Sequence, residues 1–394
     1  MGASGDCRRQ SEFSVKILCV NMSLDPVEGG GTAERTFRVC RALLRAGAVC
    51  TVLTTDTGID PDRRLALRGV EVIALPCLLK RFYVPSVSYG KIRSIVAQCD
   101  VIELMNHWTL LNALVYRAAK RLKKPYIVCP AGALTIFGRS RLLKNIYNRL
   151  VGRKIIRNSD GCVAISTSEI PQFKQYGLPA AGITLIPNGI DAAEYQSNIT
   201  ANDRKGFGPD NSPFILFVGR LNSIKGPDLL LDAFLNSKDH FPDFHLVFAG
   251  PDGGMLPQLK ATAEASDAAN RIHFTGYIGG DRKISAYHNA ELLVIPSRQE
   301  AMSLVVLEAG ITGTPVLITD RCGFKEVNTV AGGQIVPASV RGLGNGLTQM
   351  LSDPLQLKIK GENLKKHIEN HYTWDIMIKK YLDLYDRILS HHHK

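Results

Sequence analysis

The chain has 394 residues, 45% of them hydrophobic and 21% charged, with a formal net charge of +12. That is the composition of a folded globular protein, which excludes a disordered or fibrous chain, and at roughly 150 residues per domain it predicts two or three domains. No apolar run approaches the roughly 18 residues of a membrane span, and no apolar stretch follows the polar N-terminus as a secretory signal would. The nine cysteines are odd in number and never spaced C-x-x-C. They are expected as free thiols in a reducing cytoplasm, not as a disulfide framework or a zinc site.

In chain order, short apolar and β-branched runs predict strands at Lys16–Val20, Cys50–Thr54, Val70–Leu75, Val101–Met105, Tyr126–Cys129, Gly161–Ile165 and Thr184–Pro187. Further strands are predicted at Phe214–Gly219, His245–Ala249, Ile272–Thr275, Leu292–Pro296 and Pro315–Thr319, with Gln334–Pro337 as a last candidate. Most are near-continuous hydrophobic runs, as in a parallel strand covered on both faces. Helical patterns lie between them, as at Thr32–Ala46, Pro227–Asn236 and Leu304–Gly310. Alternation of this kind predicts an α/β protein with doubly wound parallel sheets.

From 198 to 213 the sequence is rich in Asn, Asp, Gly and Pro, which is linker chemistry. It sets the expected division: 1–195, a linker over 196–213, and 214–373, with a last helix over 374–390 packing on either half. Two such sheets facing one another predict a cleft at the C-terminal ends of their strands, where open α/β sheets bind ligands.

Charge is uneven. Up to Tyr195 there are 27 Lys and Arg against 15 Asp and Glu; beyond it the counts are 21 and 21. The densest basic run holds Arg139, Arg141, Lys144, Arg149, Arg153, Lys154 and Arg157 without an acid, and Leu142, Leu143, Ile146, Tyr147, Leu150 and Val151 recur through it at helical spacing. A basic amphipathic helix suits an anionic membrane surface. A solvated helix face is the plainer alternative. Nucleic acid is disfavoured, because the aromatic residues are not interleaved with the cations in the way a stacking platform requires.

Four segments can carry chemistry. Gly219-Arg220-Leu221 ends a strand, and Lys225-Gly226 precedes the next helix; a forked guanidinium and a mobile ammonium there suit a pyrophosphate. Glu300-Ala301-Met302-Ser303-Leu304 follows another strand. With Glu300 as the last loop residue and the helix starting near Ser303, free amides at 301–304 would bind an anion. Glu308 follows Glu300 by eight positions, about 12 Å along a helix, too far for the two acids to straddle one bond as in a glycoside hydrolase. Gly29-Gly30-Gly31-Thr32 opens a helix after the first strand, where glycines allow close ligand approach. Asn106-His107-Trp108 ends the strand Val101–Met105 and places a histidine at the expected cleft. Asp60-Pro61-Asp62 resembles a metal–nucleotide D-x-D but is read as a turn.

Together these segments resemble the family-4 retaining glycosyltransferases of the two-Rossmann-domain GT-B architecture. The resemblance rests on Gly219-Arg220-Leu221 with Lys225-Gly226, on Glu300 through Glu308 followed by Gly313-Thr314-Pro315-Val316, on Leu185-Ile186-Pro187-Asn188-Gly189-Ile190-Asp191, and on Phe274-Thr275-Gly276-Tyr277. It implies an N-terminal acceptor-side domain and a C-terminal nucleotide-sugar domain. Arg220 and Lys225 would neutralise a diphosphate, Glu308 would hold ribose hydroxyls, and Glu300 and His107 would contact the donor sugar. Gly219, Met302, Ser303 and Leu304 would line the donor site. Backbone at Ile278 would read the base, and Gly30 and Gly31 would face phosphate or acceptor.

The implied activity is retaining transfer of a hexose from a UDP-, GDP- or ADP-sugar, without a metal or other cofactor. The implied acceptor is a glycan or a polyprenyl-pyrophosphate-linked saccharide of cell-surface polysaccharide synthesis. The implied location is the cytoplasm, peripheral on the inner membrane face. A non-catalytic nucleotide-sugar-binding scaffold is the alternative. Where many relatives read Glu-Gly-Phe-Gly-Leu, this chain has Ala301, Met302 and Ser303, which alters the sugar pocket.

Overall fold

The computed structural model describes residues 15–25, 29–59, 61–136, 140–195 and 212–392. Most of the expected linker, together with Asp60 and Arg139, lies outside the described residues. The chain divides into two compact units: residues up to Ile186 with those from Met377 onward, and Pro187–Ile376.

In the first unit the order is β1 (Lys16–Val20), α1 (Gly30–Arg45), β2 (Val49–Thr55), α2 (Pro61–Ala66), β3 (Glu71–Leu75), β4 (Cys77–Leu79), β5 (Val84–Pro85), α3 (Tyr89–Ala97) and β6 (Val101–Met105). Then come α4 (Leu110–Leu122), β7 (Tyr126–Cys129), α5 (Arg141–Tyr147), a π-helical turn over Asn148–Gly152, α6 (Arg153–Arg157), β8 (Gly161–Ala164), α7 (Ile170–Gln175) and β9 (Ile183–Leu185). The sheet order is β3-β2-β1-β6-β7-β8-β9, and β4 and β5 form a separate antiparallel pair. All neighbours in the large sheet are parallel. β6, β7 and β8 are buried at every position, in keeping with their near-continuous apolar sequences, which Glu103 on β6 alone interrupts with a charge. Pro61 and Asp62 open the helix α2 and do not form the expected turn.

In the second unit the order is β10 (Phe214–Val218), α8 (Pro227–Ser237), β11 (His245–Ala249), α9 (Leu256–Glu264), β12 (Ile272–Gly276), α10 (Gly280–Asn289), β13 (Leu292–Ile295) and α11 (Leu304–Thr312). β14 (Val316–Thr319), α12 (Glu326–Thr329), β15 (Gly333–Val336), α13 (Val340–Leu351) and α14 (Pro354–His371) complete it, and α15 (Trp374–His392) starts there and continues into the first unit. The sheet order is β12-β11-β10-β13-β14-β15, again all parallel.

Both sheets therefore wind outward from their first strand, reverse, and wind the other way. The reversal falls between β1 and β6 in one and between β10 and β13 in the other. Helices on either side of such a reversal lie on opposite faces, which leaves a crevice at the strand ends. Those ends are Asn21 and Asn106-His107 in the first unit, and Gly219-Arg220 and Pro296–Glu300 in the second.

The first unit carries polar groups deep in its core. Arg35 on α1 donates to the Ile186 carbonyl at 2.8 Å and to the Tyr381 hydroxyl of α15 at 2.9 Å. Tyr381 and Tyr385 donate to the two carboxylate oxygens of Glu103 on β6, at 2.9 and 3.0 Å. Arg35 and Glu103 are each only 1% exposed. The network ties α1, β6 and α15 together, so a buried charge stands at each end of a hydrogen-bonded chain.

Candidate active site

In the second unit the segment after β10 and the segment after β13 are laced together. Arg298 donates its backbone N–H to the Ile224 carbonyl at 2.8 Å, and its guanidinium reaches the Ser223 carbonyl at 2.8 Å. The same guanidinium grips both oxygens of Asp228, at 2.9 and 2.5 Å. Gly226, which caps α8 at φ +67°, lies so close to this segment that a Cβ would stand 2.3 Å from the Pro296 carbonyl oxygen. Only glycine accepts both that conformation and that approach. The two strand ends thus form one rigid floor.

On that floor Lys225 and Glu300 meet. Lys225 Nζ lies 2.7 Å from Glu300 Oε1, and Ser297 Oγ donates to Glu300 Oε2 at 3.0 Å. The backbone of Glu300 is clamped as well: its N–H donates to the Arg321 carbonyl at 3.0 Å and its carbonyl accepts from Gly323 at 3.1 Å. The Lys225 side chain is 30% exposed and that of Glu300 12%, so a ligand can reach the ammonium while the carboxylate stays fixed. Arg220 is half-buried, with its aliphatic stem against Gly253.

Helix α11 begins one residue later than expected, at Leu304, with Ser303 as its N-cap. The free amides are those of its first turn rather than of 301–304. Ser303 is fully buried, and its hydroxyl has no hydrogen-bond partner among the described residues. A buried hydroxyl of this kind is costly unless something satisfies it, and here it stands at the positive end of a helix dipole. Met302 is buried and accepts the backbone N–H of Asn188 on sulfur at 3.3 Å, which ties the Pro187–Ile190 segment to the same loop. Leu304 is half-buried.

Glu308 is held apart from Glu300 by partners of its own. Lys283 lies 2.7 Å from its Oε1, and Tyr287 donates to its Oε2 at 2.5 Å. Burial and the adjacent carboxylate push the Tyr287 hydroxyl well above its ordinary range, so it stays a donor. Ile278 is buried in the loop between β12 and α10, beside the exposed Tyr277. Sequence analysis missed Lys283, Tyr287 and Ser297. Lys283 and Tyr287 stand four apart on α10, one face of a helix, which was the available signal.

The first unit's site residues are separate. Gly30 and Gly31 lie in the first turn of α1, and a Cβ on either would meet nothing within 4 Å among the described residues. His107 does not lie open. It is 1% exposed, with edge-on contacts to Trp108, Tyr147 and Tyr176 and its Nε2 3.0 Å from Asn148 Oδ1. Burial lowers its pKa to about 4, so it is neutral at pH 7. Its Nδ1 has no partner among the described residues. In this conformation the imidazole offers no surface to a sugar, because aromatic rings occupy the space around it.

The basic run forms a continuous helical segment through α5, the π-helical turn and α6. Ile155 and Ile156 are buried, and Tyr147 and Val151 pack on the core with them. Leu142, Leu143, Ile146 and Leu150 point out, at 73, 54, 45 and 67% exposure. Arg141, Arg149, Arg153, Lys154 and Arg157 are exposed beside them. Lys144 is half-buried over the Trp108 ring, and Arg157 donates to the Tyr176 carbonyl. No ion pair among the described residues joins Arg141, Arg149, Arg153 or Lys154 to an acid. No helix among the described residues is long and apolar enough to cross a membrane.

Comparison with known proteins gives this geometry a context. The model of glycosyltransferase family 4 matches residues 29–194, and that of glycosyl transferases group 1 matches 198–373. A glycogen synthase of Mycobacterium tuberculosis (strain CDC 1551 / Oshkosh) is 26% identical, covering 91% of this chain and 92% of its own. A lipopolysaccharide 1,2-N-acetylglucosaminetransferase of Salmonella typhimurium is 23% identical, covering 76% of this chain and 86% of its own. Among solved structures, the Anabaena protein Alr3699/HepE in complex with UDP and glucose superposes with a TM-score of 0.76 at 19% identity, over 94% of this chain and 98% of that one. With a family-4 domain in its first half, a group-1 domain in its second, and two doubly wound sheets, the chain belongs to the GT-B glycosyltransferases of family 4.

Proposed function

We propose that this enzyme transfers a hexose from a nucleoside-diphosphate-sugar to a hydroxyl of a lipid-linked saccharide during cell-surface polysaccharide synthesis, with retention of the anomeric configuration. The observation that carries the donor assignment is the floor of the second unit. There Lys225 pairs with Glu300 next to a helix N-terminus whose buried Ser303 hydroxyl lacks a partner. A diphosphate would draw Lys225 and Arg220 to its oxygens, satisfy Ser303 and the first-turn amides of α11, and release Glu300 toward the sugar hydroxyls. Gly219 and Leu304 would border the same phosphates, and Met302 would shape the sugar pocket. Glu308, fixed by Lys283 and Tyr287, would accept from the ribose, with the base near Ile278. The solved complexes of Alr3699/HepE with UDP support a nucleotide at such a site.

In this reading the acceptor oxygen attacks the anomeric carbon on the face that the diphosphate leaves. The C–O bond to phosphate breaks as the new glycosidic bond forms, and the acceptor proton passes to the departing phosphate oxygen. Lys225, Arg220 and the helix amides stabilise the charge that grows on the leaving group. Those cations make a metal unnecessary.

The acceptor assignment rests on the outward apolar row Leu142, Leu143, Ile146 and Leu150 between exposed cations. Such a surface suits an anionic membrane, and a peripheral place on the inner face of the cytoplasmic membrane follows. The Salmonella relative, named for lipopolysaccharide, supports that acceptor class.

The test is a screen of UDP-, GDP- and ADP-sugars with and without EDTA, following nucleoside diphosphate release and thermal shift. Slow, EDTA-insensitive release from one donor, lost in Lys225→Ala and Glu300→Ala, is expected. Binding without turnover, even with a lipid-linked acceptor, would favour a non-catalytic nucleotide-sugar-binding scaffold.

A further inference from the structure

Three cysteines that lie far apart in sequence converge inside the first unit. Cys19 stands on β1, Cys50 on β2 and Cys40 on α1, exposed by 2, 2 and 0%. In the parallel register Ile17 faces Cys50 and Cys19 faces Val52, so the two strand thiols are diagonal neighbours on one face of the sheet. Cys40 reaches that face from the helix above. Cys19 Sγ and Cys50 Sγ are 3.8 Å apart, and all three sulfurs lie within 4.8 Å of one another.

These distances have a specific meaning. A cation bonded to three sulfurs at about 2.3 Å in a plane holds them about 4.0 Å apart. Cys19 and Cys50 are already near that spacing, and the Cys40 sulfur lies within 4.8 Å of both. A disulfide needs sulfurs at about 2.05 Å, so Cys19 and Cys50 would have to close nearly half their separation.

Charge selects among cations. Glu103 sits directly beside Cys19 across β1 and β6. Both of its oxygens are occupied by Tyr381 and Tyr385, so it is not free as a fourth ligand. That disfavours Zn(II), which takes four ligands in structural sites. Three thiolates in this dry interior, next to a carboxylate, would carry uncompensated charge that burial penalises heavily. One thiolate with two neutral thiol donors carries a single negative charge, which a monovalent cation cancels. Soft sulfur ligands favour Cu(I) among the biological metals.

We propose that Cys19, Cys40 and Cys50 form a buried trigonal site for a soft monovalent cation, Cu(I). Loading replaces one S–H proton, released to solvent, by three metal–sulfur bonds, with no change in oxidation state. The site is independent of the sugar-transfer residues.

The full-length chain, reduced and anaerobic, would be equilibrated with Cu(I) held by a competing chelator, at a temperature just below melting so that the core opens. One Cu(I) per chain is expected, with X-ray absorption reporting three sulfurs at about 2.3 Å and an upward shift in melting temperature. Cys40→Ser and Cys50→Ser should each weaken binding by about a hundredfold or more, since changes to outer-shell groups alone cost 10–100-fold. Cys77→Ser, on β4 outside the triad, should leave it unchanged. No bound copper at equilibrium, fewer than three sulfurs in the wild-type spectrum, copper retained fully by Cys40→Ser, or Zn(II) bound in preference would each overturn the proposal. The wild-type spectrum decides the question even if a variant does not fold.

Discussion

The two units share one topology and place their charges oppositely. In the second, the ion pairs Lys225–Glu300 and Lys283–Glu308 stand at or near the strand ends, with both cations partly exposed. In the first, Arg35, Glu103 and His107 are each 1% exposed, and the exposed cations lie on its helices, as at Arg93 on α3, Lys120 on α4 and Arg149 in the basic segment. A doubly wound sheet dictates where a crevice forms, not which side chains fill it. In the proposed reading one unit uses its polar residues to meet a ligand, whereas the other uses Arg35 and Glu103 to fasten its own helices. Substitutions should separate the two uses: those in the first should cost stability, those in the second should cost turnover.

The largest stability effect is expected at Arg35→Met. It removes the cation that faces Glu103 through the Tyr381 hydroxyl and leaves that acid buried with only its two tyrosine donors. Breaking a buried pair from one side typically costs 3–5 kcal/mol. Urea denaturation should show that loss, and the double substitution Arg35→Met with Glu103→Leu should recover much of it. An unchanged midpoint for the single variant would remove the distinction between the units.

Lys225→Ala and Glu300→Ala should do the reverse. Each should lower turnover by about a hundredfold to a thousandfold, the usual cost of one stabilising group at a developing charge. Melting temperature should fall less than in Arg35→Met, because the partly exposed Lys225 and Glu300 keep more access to water than the 1% exposed Arg35 and Glu103. Loss of fold in either variant would show that the floor of the second unit is structural.

The third expected effect is a pH dependence. His107 has a folded pKa of about 4 against an ordinary 6.5. The unfolded chain therefore binds the extra proton between those values, and stability falls as pH drops from 6.5 to 4. Neutral burial at this residue should be worth about 3 kcal/mol at pH 7 relative to pH 4. Chemical denaturation of the wild type and of His107→Gln at both pH values checks this: the variant should show a shallower acid slope. Equal slopes would mean that the imidazole is not buried as described.

Much of this was legible in the sequence. Near-continuous apolar runs such as Tyr126–Cys129 marked the parallel strands, because a strand covered on both faces has no polar side to show. Gly226 and Glu300 were identifiable because a strand end followed by a helix start is where loops carry chemistry. Other features depend on register and on distant packing. Glu103 looks like any acid in a strand until α15 brings two tyrosines to it. Cys19, Cys40 and Cys50 looked scattered because strand pairing, not spacing, unites them. His107 looked available because its position at a strand end is an open place in most such sheets. Tyr147 and Tyr176, far along the chain, close it.

The basic helical segment sets exposed cations beside an outward apolar row, and it tests the comparison most finely. If it seats on a membrane, each cation near the surface contributes about 1 kcal/mol, falling off within a Debye length. Arg149→Gln should then weaken binding to anionic vesicles by about fivefold, and raising the salt should erase that difference. Leu150→Ser, which removes an apolar contact at 67% exposure, should weaken binding to a similar degree but keep its effect at high salt, because burial of hydrocarbon is not screened. Neither change should alter the melting temperature, since the core side of the segment is Tyr147, Val151, Ile155 and Ile156. Sedimentation with vesicles at two salt concentrations separates the two contributions. Equal affinity of the wild type and both variants would return this face to the plainer reading of a solvated helix, and the acceptor assignment would lose its physical support while the donor site kept its own.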